Sequence, residues 1–67
     1  MTIGTFIKNK RIQYNISLRK FAKQSGIRVT EISAIEQGNK EPTIETFNIL
    51  MEALDAGKYE FIITGVE

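Results

Sequence analysis

Two glycines divide the stretch Ser17–Gly38, SLRKFAKQSGIRVTEISAIEQG, into two short helical runs, and this division most constrains the fold. Leu18, Phe21, Ala22 and Ser25 share one face of the first run, with Arg19, Lys20 and Lys23 on the other. After Gly26 the rhythm restarts in a new phase through Ile27, Ile32 and Ile35, then stops at Gly38. Two helices joined so tightly pack at roughly 90–120° only if the turn residue is permissive and the crossing residue is small. Gly26 and Ala22 meet those needs. The second helix of such a unit presents its free face outward, at a size that fits the DNA major groove.

The rest of the chain reads as more helix. Thr2 is a cap for a first helix carrying Ile3, Phe6, Ile7, Arg11 and Tyr14 on one stripe, and Asn15 ends it. Ser17 caps the helix Leu18–Ser25, and a third helix covers Val29–Gln37, weakly capped because Arg28 stands where Ser or Thr serves better. Thr43 caps a fourth helix whose apolar face is Ile44, Phe47, Ile49, Leu50, Met51 and Leu54. Gly57 is expected to break it. Residues 59–66 are rich in β-branched and aromatic side chains and are expected to form a strand, with a short fifth helix as the competing reading.

Sixty-seven residues suffice for one small core, and chains of this size often recruit a disulfide, a metal or a second subunit. With no Cys and no His, a disulfide is impossible and zinc lacks its usual ligands. Helix packing and oligomerisation remain. Lys8, Lys10 and Arg11 interrupt the first apolar stretch, unlike a signal peptide, and no run approaches the roughly 18 apolar residues of a membrane span. A soluble, cytoplasmic protein without membrane contact is expected.

Charge is segregated. Residues 1–30 hold seven basic side chains and no acid, whereas residues 31–67 hold eight acids against Lys40 and Lys58. A basic run is commonly a solvated face, but its confinement to one half is also the footprint of a surface that meets polyanions. Catalysis is not expected: His and Cys are absent, no glycine loop cradles phosphate, and no carboxylates pair in a credible pocket. No cofactor and no metal are implied.

Ile3-Gly4, Ile7, Arg11, Ile16-Ser17, Ala22, Gly26-Ile27, Ile32-Ser33, Ile35-Glu36, Gly38, Pro42 and the run 43–54 together resemble the phage repressor and Cro (XRE) type of helix-turn-helix family. The resemblance covers most of the chain. It implies an all-α fold of four to five helices, like the lambda repressor DNA-binding domain, followed here by the short C-terminal strand. It implies a recognition helix at 29–37, with Arg28, Val29, Thr30, Ser33, Ala34 and Gln37 facing bases. Arg28 suits phosphate or a guanine edge; Thr30, Ser33 and Gln37 suit hydrogen bonds; Val29 and Ala34 suit thymine methyl groups. Phosphate contacts are expected from Ser17 and Leu18 at a helix N-terminus, from Arg19, Lys20 and Lys23, and from Asn39 and Lys40 beyond the recognition helix. The resemblance further implies that Arg11 and Glu36, both on apolar stripes, pair across the first and third helices.

Two residues depart from the pattern. Leu18 stands where many relatives carry Gln. Glu31 is an acid near the front of the recognition helix: it opposes phosphate, reads a cytosine amino group, or points sideways into solvent.

A lone strand needs a partner for its backbone groups. The tail resembles that of HipB-like antitoxins, in which strands pair between protomers. Residues 1–56 are therefore expected to bind DNA and residues 57–67 to form the dimer, through Tyr59, Phe61, Ile62, Ile63 and Val66. The expected protein is a homodimeric repressor reading a palindromic operator in double-stranded DNA. The alternative is an antitoxin that binds a partner toxin and autoregulates its operon.

Overall fold

In a computed structural model, the chain is described over residues 2–65 and forms four helices: α1 (Ile3–Gln13), α2 (Leu18–Ser25), α3 (Val29–Glu36) and α4 (Ile44–Gly65). Three of the four helix starts are closed by a side-chain cap. Thr2 Oγ1 accepts from the Thr5 amide at 3.1 Å, Ser17 Oγ from the Lys20 amide at 3.1 Å, and Thr43 Oγ1 from the Thr46 amide at 3.1 Å. These bonds satisfy first-turn amides that have no partner within the helix. Arg28, before α3, makes no side-chain cap.

Helix ends are equally specific. Asn15 takes φ 56°, the left-handed region that Asn tolerates better than most residues, and ends α1. The Ile16 and Asn15 amides then close back onto Arg11 and Ile12 carbonyls at 2.9 and 3.0 Å. Gly26 and Gly38 take φ 74° and 82° and end α2 and α3, where a side chain would strain the backbone.

Ile7, Ile16, Phe21, Ile32, Ile35, Leu50, Ala53 and Leu54 form one buried core fed by all four helices and the α1–α2 turn. Phe6, Tyr14, Leu18, Ala22, Ile27, Phe47 and Met51 close its margins. At Gly4, α1 passes so close to the end of α3 that a Cβ there would run into the Ile35 carbonyl oxygen. That contact sets the α1–α3 spacing, and with it the seat of α3.

The C-terminal segment corrects the expectation of a strand. α4 continues through Gly57 to Gly65, and no strand occurs among the described residues. Gly57 is buried against the Ile16 side chain, so its missing Cβ lets α4 lie on the α1–α2 turn. A glycine inside a helix costs about 1 kcal/mol relative to alanine, and this packing offsets it. Four residues on, Phe61 approaches Tyr14 with ring centroids 6.5 Å apart, and Lys58 Nζ lies 5.8 Å from the same tyrosine ring. These contacts override the β preference of Ile62 and Ile63, a preference that reflects packing context more than backbone chemistry.

Candidate nucleic-acid interface

α3 turns Ile32, Ile35 and Glu36 into the protein. Helical geometry then places Thr30, Ser33, Ala34 and Gln37 on the opposite side, with Arg28 and Val29 at its start. Arg28, Val29, Thr30 and Gln37 are exposed, and Ser33 and Ala34 half-buried, so the six candidate base-reading residues share one continuous surface. Two of them are already linked. Gln37 Nε2 donates to Ser33 Oγ at 3.1 Å, and Asn39 Nδ2 donates to Gln37 Oε1 at 3.3 Å. The Gln37 amide keeps one further donor and one further acceptor, the pair that an adenine edge takes.

Exposed basic side chains flank α3 in the chain. Arg19, Lys20 and Lys23 are exposed on α2, Arg28 precedes α3, and Lys40 follows it. Leu18 packs its side chain against the core and opens α2 directly after the capping Ser17. Positive partial charge at a helix N-terminus favours an anion there, and no acid occupies the first turn of α2.

Two of the lysines are held by carboxylates. Lys40 Nζ lies 3.4 Å from Glu31 Oε1, so Glu31 bends sideways toward the loop after α3. Lys20 Nζ makes an ion pair with Glu60 Oε2 at 2.6 Å, tying α2 to the end of α4. The Lys20 ammonium holds the Glu60 carboxyl below its ordinary value of 4.5, by its hydrogen bond first and its charge second, with a smaller hydrogen-bond contribution from Gln24. Neither pair follows a helical spacing. Residues 20 and 60 meet only because α4 stays helical past Gly57, which nothing local in the chain announces.

Arg11 and Glu36 support the interface from behind. Arg11 Nε and Nη2 donate to the two Glu36 carboxylate oxygens at 2.8 and 3.1 Å, and Nη1 donates to the Ile16 carbonyl at 2.9 Å. The pair is thus bidentate and largely buried, bonding α1 to the last turn of α3.

The residues expected at a dimer interface lie at the end of α4, the segment that Glu60 ties to Lys20 of α2. Tyr59, Ile62 and Ile63 are exposed, Phe61 leans onto Tyr14, and Val66 falls outside the described residues. Among the described residues no helix is long and apolar enough to cross a membrane, and no group of three acidic, His or Cys side chains is placed to hold a metal ion.

The profile of the Helix-turn-helix family matches residues 7–61, from the middle of α1 almost to the end of α4. No curated protein and no solved structure gives a significant match. Its α2–turn–α3 unit, with a bordering basic surface, is the architecture of DNA-binding regulators rather than of an enzyme family. The chain belongs to the XRE-type helix-turn-helix family and is a DNA-binding transcription regulator.

Proposed function

We propose that the protein is a homodimeric repressor that reads a palindromic operator by laying residues 29–37 in the major groove. The observation that carries this reading is the outer face of α3, where Thr30, Ser33, Ala34 and Gln37 lie together between exposed cations on α2 and in the loop beyond. Thr30 and Gln37 read base edges, Val29 and Ala34 contact thymine methyl groups, and Arg28 takes a guanine edge or a phosphate. Arg19, Lys23, Lys40, Asn39 and the amides after Ser17 grip phosphates and fix the register.

Dimerisation is assigned to residues 57–67. Tyr59, Ile62 and Ile63 leave more apolar surface at one helix end than a small monomer has reason to expose. A two-fold axis there gives two recognition helices, and half-sites about 34 Å apart lie on one face of DNA. A second reading rests on the same exposed side chains: an antitoxin would seat its toxin on them and use DNA binding to control its own operon.

A gel shift against the DNA upstream of its own gene, with unrelated DNA as competitor, tests the proposal. Specific retardation by a dimer that weakens steeply with salt supports it, because each neutralised phosphate releases condensed counterions. Equal retardation of unrelated DNA contradicts operator reading. Co-purification of a stoichiometric partner from its native cells favours the antitoxin.

A further inference from the structure

The first turn of α2 and the end of α4 meet through charge. Lys20 Nζ and Glu60 Oε2 are 2.6 Å apart, with both side chains about half exposed at 50 % and 53 %. Gln24, one turn further along α2, adds a smaller influence that also favours the charged Glu60 carboxylate. The segment that carries it is seated by Gly57 on Ile16 and by Phe61 on Tyr14. Glu60 is therefore aimed at α2 by packing on both sides of it in the chain.

We propose that Glu60 sets the affinity for DNA by acting as a resident stand-in for phosphate: it takes the Lys20 ammonium that the DNA backbone would otherwise engage. The inference rests on the reading of α2 and α3 as the DNA-binding surface. A carboxylate and a phosphate oxygen ask the same thing of a lysine, a short charge-assisted hydrogen bond. When DNA approaches, Lys20 either stays with Glu60, leaving a carboxylate facing phosphates, or changes partner and gives up its short bond to Glu60. Either course subtracts from binding. The end of α4 is thereby coupled to the DNA face, since any partner that draws its last turns away from α2 frees the lysine.

Glu60→Gln tests this with little change of shape. DNA affinity of the variant should rise about two- to fivefold, the range expected of an exposed ion pair. Glu52→Gln removes the same charge from an exposed position elsewhere on α4 and should change affinity much less. In a Lys20→Ala background the Glu60→Gln gain should vanish, because there is no ammonium left to free. Circular dichroism establishes that each variant keeps its helices. Equal gains from Glu52→Gln and Glu60→Gln, or a Glu60→Gln gain that persists without Lys20, would reduce the effect to net charge and overturn the inference. An unchanged affinity in Glu60→Gln overturns it as well while leaving DNA binding intact. Failure of the wild-type chain to bind DNA removes the underlying reading and this inference with it.

Discussion

Arg11 and Glu36 face each other across α1 and α3 with two parallel hydrogen bonds of 2.8 and 3.1 Å, while the remaining Arg11 nitrogen holds the Ile16 carbonyl. One guanidinium thus joins the end of α3 to α1 and to the turn before α2. Arg11→Ala leaves the Glu36 carboxylate, only 5 % exposed, without its cation. Loss of one member of a buried pair costs ~3–5 kcal/mol, a large part of a small domain's stability. Thermal melts should show that loss, and replacing both residues with apolar side chains of similar volume should recover much of it. An Arg11→Ala variant that melts like the wild type refutes the role.

Glycine positions 4 and 57 should respond differently to alanine. A Cβ at Gly4 meets the Ile35 backbone carbonyl, which cannot move without shifting α3, so Gly4→Ala should cost ~1–3 kcal/mol as overpacking does. At Gly57 the obstacle is the end of the Ile16 side chain, which can rotate, and alanine gains about 1 kcal/mol in helix propensity. Gly57→Ala should therefore be clearly the milder change in urea denaturation. The reverse order would show that α1 and α3 are not spaced by Gly4.

Base and phosphate contacts separate by sequence dependence. Thr30→Ala or Gln37→Ala should change preference at particular operator positions, by ~1–3 kcal/mol for a lost good base contact. Lys40→Ala should weaken all sequences alike and lower the salt slope by about one unit. Competition binding with single-base operator variants distinguishes them, and a flat response to both Thr30→Ala and Gln37→Ala places the recognition surface elsewhere.

Glu60 should titrate below 4.5 in the folded protein because Lys20 stabilises its charged form. A carboxyl group lowered on folding stabilises the native state above its unfolded value, and that contribution is lost as pH falls through the lowered value. The Lys20–Glu60 contact should therefore persist at neutral pH and loosen only below 4.5. A side-chain carboxyl titration by NMR measures it, and Lys20→Ala should return the midpoint toward the ordinary value.

Removal of the chain after Ala56 should give a monomer that binds DNA far more weakly, since the second half-site is no longer tethered to the first. Because this deletion also strips Gly57 from Ile16, Ile62→Glu with Ile63→Glu is the cleaner disruption of the exposed surface. Sedimentation decides: a dimer that persists at micromolar concentration in the double variant moves the interface off the end of α4.

What the sequence by itself determined is local in origin. Thr2, Ser17 and Thr43 satisfy amides three residues ahead, and Asn15, Gly26 and Gly38 accept left-handed backbone that most residues resist. Those six positions bound α1 and α2, end α3 and start α4, and apolar spacing chose Ile32 and Ile35 as the buried side of α3. Its opposite face, the prospective base-reading surface, followed from the same period. Only the tertiary structure decided the end of α4. Gly57, Ile62 and Ile63 argue locally against helix, but Gly57 is where α4 must touch Ile16, and Phe61 and Glu60 find Tyr14 and Lys20 only if the helix continues. It likewise turned Glu31 toward Lys40 and Glu60 toward Lys20. Such partners are set by how the helices cross in space, and spacing along the chain carries no record of that.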